Sequence, residues 1–379
     1  MSDPRILVTA GEASSDQHAA GLLRALRATG CRFQAYGVGG PELAAAGVEL
    51  LADYRELAVV GLVEVLGRLP RILALLQRLK QTIRRAPPAL FLPVDSPDFN
   101  FRLLPAAAAS GVPTVYFIAP QLWAWRPGRV ERLRRTVRRL LVLFPFEEAW
   151  FRARGVATEY VGHPLVDAAR ELPSRAAVRA QLGLDAAERV GLLLPGSRTG
   201  EVARHGPPMG AALARLEAAG QRMRWLVRRA SGLEEAALTA AGLTPAAELR
   251  AEPVLALARA ADVTIAASGT ASFEAALAGT PLIVLYRMHA ASWWLARRLV
   301  RVPHVAMANL TLGERLLPEL LQGACTGERI AAEVGALLDD PRQHERIRRG
   351  LQALDARFGP SGAYRRAAAA VRLELERRI

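Results

Sequence analysis

Two acids and an amide crowd the exit of one short apolar run, where Leu90–Val94 leads straight into Asp95, Ser96, Pro97, Asp98, Phe99 and Asn100. A carboxylate at the end of a buried strand can take the proton from an attacking hydroxyl, because burial lifts its pKa toward neutrality. Asp95 is therefore the candidate general base. Asp98, behind Pro97, is better placed to cap a helix, and it joins Asn100 as a candidate for the cleft around the base. A second cluster follows the first apolar run: Ala10-Gly11-Glu12-Ala13-Ser14-Ser15-Asp16 sets a glycine turn, acids and hydroxyls ahead of a helix-like stretch. Glu12 and Ser14 are candidate cleft residues, and Ser14, Ser15 or Asp16 could cap the helix and leave backbone N–H groups for an anion. The segment is not G-x-G-x-x-G, which counts against a dinucleotide.

A third cluster, Ala119 to Arg126, contains Gln121, Trp123 and Trp125 and opens a run with seven arginines between Arg126 and Arg139. Aromatic rings beside cations suit either a nucleic acid or a sugar and phosphate cleft. Further on, Gly196, Ser197 and Arg198 close another apolar run, and a planar guanidinium after a glycine turn matches a diphosphate. Ser268, Gly269 and Thr270 then join an apolar run to a helix of small residues, with Glu274 one turn in and able to accept ribose hydroxyls. There is no Walker pattern, no H-E-x-x-H and no D-x-D, so diphosphate charge falls to arginine and helix dipoles; neither metal nor cofactor is expected.

The elements that must carry these loops alternate. Apolar, strand-like runs lie at Arg5 to Thr9, Phe33 to Val38, Leu90 to Val94, Thr114 to Ile118 and Leu140 to Leu143, mostly separated by helix-like stretches. After Val161-Gly162-His163-Pro164 the pattern restarts, with runs at Val190 to Leu194, Arg224 to Val227, Val263 to Ala266 and Leu282 to Tyr286. Such alternation predicts parallel sheets with crossover helices, whose ligands gather beyond the strands' carboxyl ends. At 379 residues the chain exceeds what one core usually holds. Two Rossmann-like α/β domains are expected, 1–168 and 169–353, facing across a cleft, with a helix at about 354–379 returning to the first.

Composition narrows the class further. The opening MSDPRILVTAGE reads as a first strand and not as a signal peptide, and no apolar run is long enough to span a membrane, so a cytoplasmic protein is expected. Cys31 and Cys325 stand too far apart in sequence for a metal-ligand motif. The formal charge of +14 favours an anionic partner, which could be nucleic acid, a phosphorylated substrate or an acidic lipid surface. Between Leu62 and Ile83, leucines and isoleucines recur at helical spacing among Arg68, Arg71, Arg78 and Lys80, and Trp293 and Trp294 stand beside Arg297 and Arg298. Contact with an anionic membrane surface is expected chiefly through the first segment, which suits a domain core equally well, and the second offers a further interfacial patch.

Taken together, the segments resemble the lipid-A-disaccharide synthase family, inverting glycosyltransferases of the GT-B type. The resemblance is carried by Gly11-Glu12 with Ser14 and Asp16, Glu56 to Val59, Val63 to Leu66, Asp95 to Asn100, Pro120 to Trp125, Phe144 to Glu147, Gly162 to Pro164, Leu194 to Arg198, Ser268 to Thr270, Tyr286-Arg287 and Asn309-Leu310. It implies transfer from UDP-2,3-diacylglucosamine to 2,3-diacylglucosamine 1-phosphate, giving a β-1,6-linked disaccharide and UDP. It also implies Asp95 as base, Arg198 and Glu274 at the donor, and Arg287 and Asn309 in the cleft. The chain departs from the family in carrying Ser15 where glycine is usual, and in Leu312-Gly313-Glu314-Arg315 where Ala-Gly-Arg-Glu is usual. The expected partners are a UDP-sugar, a phosphorylated glycolipid and peripherally an anionic membrane, with a homodimer left open. A different UDP-sugar enzyme, such as an epimerase, is the rival on this architecture. A nucleic-acid-binding protein is the more remote alternative, since no recognised nucleic-acid module appears.

Overall fold

The computed structural model describes residues 3–56, 62–244, 246–300 and 302–377, with backbone only at 56, 62–69, 291 and 295–297. Contacts divide the chain into two units, Met1–Pro164 with Pro360–Ile379, and Leu165–Gly359.

The first unit is built on β1 (Arg5–Ala10), β2 (Gln34–Gly39), β3 (Val48–Asp53), β4 (Leu90–Val94), β5 (Val115–Phe117), β6 (Arg139–Val142) and β7 (Thr158–Tyr160). All pair in parallel, in the order β3-β2-β1-β4-β5-β6-β7. The second unit holds β8 (Val190–Leu194), β9 (Arg224–Arg228), β10 (Glu248–Arg250), β11 (Val263–Ala267), β12 (Leu282–Tyr286) and β13 (Glu319–Leu321), again parallel, in the order β10-β9-β8-β11-β12-β13. Strands covered on both faces carry continuous apolar runs, which is why β1, β4, β8, β11 and β12 stand out in the sequence. The strand order reverses between β1 and β4 and again between β8 and β11. At such a switch point the crossover helices leave to opposite faces and open a crevice beyond the carboxyl ends. Glu12 and Asp95 follow the first pair of strands, and Gly196 and Ser268 follow the second.

The helix Leu62–Arg85 corrects one expectation. Its stripe is not a single surface: Leu76, Leu79 and Ile83 are buried in the first unit's core with Phe91, Phe101 and Leu104, and Ile72 packs against the same cluster. Leu73, 44% exposed, is the large apolar side chain that helix leaves outward among its described residues. The side chains of Leu62, Leu66, Leu69 and Arg68, and those of the Glu56 to Val59 and Val63 to Leu66 segments, lie outside the described residues.

The helix Ala363–Glu376 packs on the helix Ala13–Ala28 of the first unit. Gly21 makes room for it, since a Cβ there would stand 2.5 Å from the Tyr364 ring. The Tyr364 hydroxyl meets His18 Nδ1 at 2.9 Å, and Arg366 Nε donates to the Val161 carbonyl at 2.9 Å. Glu374, 1% exposed, receives Arg138 at 2.8 Å, Arg139 at 2.9 Å and Arg377 at 3.1 Å.

Candidate active site

Beyond β4 the chain takes two successive left-handed residues, Asp95 with φ 48° and Ser96 with φ 45°. Such backbone costs about 1–3 kcal/mol per residue and persists where the surroundings over-determine it. Here they do. The Asp95 N–H donates to the Phe117 carbonyl at 3.0 Å, while its own carbonyl accepts from Asn100 Nδ2 at 2.7 Å and the Tyr116 hydroxyl at 2.6 Å. Thr9 Oγ1 in turn donates to Asn100 Oδ1 at 2.7 Å. The β1 exit is tied to the same turn, because Gly11 N–H donates to Ser96 Oγ at 3.0 Å. A Cβ on Gly11 would come within 2.6 Å of that oxygen, so glycine is what permits the approach.

Asp95 lines a pocket of about 220 Å³ with Pro97, Ile118, Ala119, Pro120, Gln121, Trp125, Leu143, Phe144 and Glu147. Burial pushes its carboxyl up to about 6, the charge of Glu12 adds to the rise, and the Ser96 backbone N–H opposes it. Burial likewise lifts Glu147 to about 7, against N–H groups donated by Trp123 Nε1 at 2.9 Å and Phe144 at 3.1 Å. A carboxylate poised near neutral pH beside a pocket can serve as a general base.

Not every candidate faces this pocket. Asn100 is fully buried and spends its amide on Thr9 and Asp95, so it positions the turn and does not meet a ligand. Trp123 turns its indole N–H to Glu147, and its ring stands at right angles to that of Phe146. Asp98 makes no cap and instead meets Arg129 and Arg126 at the surface. Ser14 is exposed on the first helical turn, and the cap is built by Ser15, whose hydroxyl accepts from Glu12 N–H at 3.0 Å and donates to the Glu12 carbonyl at 2.8 Å. The buried Asp16 accepts from Gly40 and Glu42 N–H at 2.7 and 3.0 Å. Gln121 and Trp125 do line the pocket. Sequence reasoning missed Tyr116 and Glu147 as site residues; Glu147 entered it only as the end of the Phe144 to Glu147 segment that carries the family resemblance.

In the second unit, Gly196 at φ 128° leaves space for Glu201, whose Cβ would lie 2.5 Å from an added Cβ. Glu201 accepts from Ser197 N–H at 2.9 Å and pairs with Arg198 at 3.5 Å, while the Arg198 side chain stays largely in solvent. Across the switch point Gly269, at φ 152°, precedes the helix Thr270–Leu277, and its N–H donates to Ser272 Oγ at 3.2 Å. Ser268 Oγ donates to the Val305 carbonyl at 3.3 Å. Burial pushes Glu274 up to about 7, with Arg228 opposing. Arg287 is exposed at the end of β12, its backbone N–H donating to His205 Nε2 at 3.1 Å. Arg204 and Arg228 keep a buried Nε without a hydrogen bond among the described residues, and neither was singled out in the sequence. Asn309 requires correction: it is fully buried, giving its amide to Leu317 and Glu319 at 3.0 and 2.8 Å and accepting from Leu317 N–H at 2.9 Å, so it braces its loop from within.

A protein-family model described as lipid-A-disaccharide synthetase matches residues 6–369. The lipid-A-disaccharide synthase of Myxococcus xanthus is 43% identical over 377 residues, covering 98% of this chain and 97% of that one. The enzyme of the same name from Geobacter sulfurreducens is 39% identical over 371 residues, covering 97% and 96%. Among solved structures, the calicheamicin glycosyltransferase CalG4 aligns with a TM-score of 0.62 at 18% identity, covering 100% and 99%. The UDP-GlcNAc 2-epimerase of Neisseria meningitidis, bound to UDP-GlcNAc, aligns at 0.60 with 11% identity, covering 98% and 99%. At those identities the two structures establish the two-sheet fold of GT-B proteins.

Proposed function

Because the chain belongs to the lipid-A-disaccharide synthase family, we propose that Asp95 is the base of its transfer reaction and that the loops after β8 and β11 hold the donor. The enzyme is a hexosyltransferase that joins UDP-2,3-diacylglucosamine to 2,3-diacylglucosamine 1-phosphate through a β-1,6 linkage and releases UDP. The acceptor's 6-hydroxyl oxygen attacks the donor's anomeric carbon as the bond from that carbon to the diphosphate oxygen breaks. The hydroxyl proton passes to Asp95, and the bonding pair leaves with UDP. Arg198 and the backbone N–H groups opening the helix Thr270–Leu277 balance the diphosphate charge. Glu274 accepts from the ribose hydroxyls, with Arg228 favouring its ionised form.

The observation that carries this reading is the Asp95 carboxyl, lifted to about 6 and fixed at the first switch point by its own carbonyl's two hydrogen bonds. It is tested by crossing two variants with two readouts. Asp95→Asn should cut turnover roughly 10²- to 10⁴-fold and leave UDP affinity in calorimetry intact. Arg198→Ala should weaken UDP binding about tenfold, the scale of one charge-assisted contact. Near-normal turnover in Asp95→Asn removes it as base, and unaltered UDP affinity removes Arg198 from the donor site.

We also infer peripheral contact with an anionic bilayer through the helix Ala290–Leu299. No helix among the described residues is long and apolar enough to cross a membrane. On this helix Trp294 is 62% exposed, with the Arg298 guanidinium 3.5 Å above its ring, and Leu299 and Val300 are exposed beside it. Trp293 is half-buried toward Tyr286, and Arg297 lies outside the described side chains. An exposed indole with a cation suits the headgroup level. Trp294→Ser with Leu299→Ser should reduce co-sedimentation with phosphatidylglycerol vesicles without lowering the melting temperature; undiminished sedimentation would end the proposal.

A further inference from the structure

We propose that Arg126 and Arg129, at the rim of the Asp95 pocket, form the seat for the acceptor's phosphate, and that Asp98 occupies this seat as an exchangeable counter-anion until the acceptor arrives. The inference rests on the reading that the acceptor binds beside Asp95.

Pro97 and Trp125 line the pocket, and the charged residues begin one position beyond each of them, Asp98 on the short helix Pro97–Asn100 and Arg126 at the end of a separate loop. Asp98 Oδ1 lies 2.9 Å from Arg129 and 3.8 Å from Arg126, so both guanidiniums converge on one oxygen. Each guanidinium is also oriented by an aromatic face: Arg126 lies 4.1 Å over the Trp125 ring and Arg129 lies 5.7 Å from the centre of Phe101. Arg126 further holds a left-handed backbone, φ 57°, directly before Pro127, a conformation that exacts a cost from a non-glycine residue.

Stability does not account for this arrangement. Asp98 is 72% exposed, and ion pairs in water contribute little to folding. Four other arginines of the run are occupied elsewhere, Arg134 and Arg135 on Glu131, Arg138 and Arg139 on Glu374. A sugar 1-phosphate is a monoester that carries nearly two negative charges near neutral pH and presents three acceptor oxygens. It satisfies two converging guanidiniums better than one carboxylate oxygen can, so Asp98 is displaced. A monoester bound here brings its sugar ring against Trp125 and over Asp95.

The test is calorimetric and does not depend on turnover. Glucosamine 1-phosphate, glucosamine and UDP are titrated into the full-length protein, the Arg126→Ala/Arg129→Ala variant and Asp98→Asn. The double variant should lose about tenfold or more in glucosamine 1-phosphate affinity, with glucosamine and UDP unchanged. Asp98→Asn should bind glucosamine 1-phosphate more tightly, about threefold, because the resident anion is gone. Unchanged glucosamine 1-phosphate binding in the double variant overturns the seat, as does an equal loss of UDP affinity, which would make the pair a general anion site. Weaker binding by Asp98→Asn overturns the displacement. Failure of the base assignment shows separately, as turnover by Asp95→Asn.

Discussion

Tyr116 meets Asp95 through the backbone, where its hydroxyl and the Asn100 amide hold the Asp95 carbonyl and so brace the left-handed turn that carries the carboxylate. Tyr116→Phe removes one of these bonds and should lower kcat about tenfold, the scale of one buried hydrogen bond, leaving the donor KM unchanged; equal changes in both constants would show mere loosening of the fold. The pH profile gives a second check. With its carboxyl lifted to about 6, Asp95 loses its basic form as pH falls through that value, so the rate should drop about tenfold per pH unit below it. Glu12 supplies part of the lift by charge, so Glu12→Gln should shift the acid limb to lower pH, and an unmoved limb would remove Glu12 from the electrostatics of the base. Lifted carboxyls also bear on stability. Asp95, Glu147 and Glu274 hold protons in the fold that the unfolded chain has already released, so their contribution to stability falls as pH rises from the ordinary carboxylate range through about 7. Asp95 was legible because an acid closing an apolar run needs no other residue to be noticed. Tyr116 was not, since its part depends on a carbonyl 21 positions away in sequence.

At the level of elements, the central strands could be read and the edge strands could not. The bounds of β4, β8 and β12 coincide with the apolar runs, whereas β3, β7, β10 and β13 passed unnoticed. They are short or half-polar; β10, for instance, is Glu248–Arg250, and the β7 residues Thr158, Glu159 and Tyr160 form no apolar run. The helix Leu62–Arg85 shows the opposite difficulty, because an amphipathic stripe looks the same whether it faces lipid or core. Leu79 is fully buried, so Leu79→Ala should cost about 2–5 kcal/mol. Leu73, on the outward side, should tolerate serine within about 0.5 kcal/mol. Paired urea melts measure both; equal costs would mean that Leu73 is also part of a packed face.

For the whole molecule, the first unit is assembled from two distant stretches of chain, and the join is electrostatic as well as apolar. Glu374 is buried among Arg138, Arg139 and Arg377, and removing its charge leaves Arg139 with Glu159 alone and the half-exposed Arg138 and Arg377 without it. Breaking a buried ion pair from one side typically costs about 3–5 kcal/mol, so Glu374→Gln should lower the first unit's thermal transition markedly, and an unshifted melt would show the cluster to be solvated. The same join sets a schedule for synthesis. The helix Ala363–Glu376 leaves the ribosome only after the entire second unit. At about 5–20 residues per second, roughly 200 intervening residues hold the first unit waiting for on the order of 10 to 40 s. During that interval the groove beside Gly21, which Tyr364 later fills, stands open on the nascent chain. The second unit can close as soon as it is made, while the first, begun earlier, is completed last.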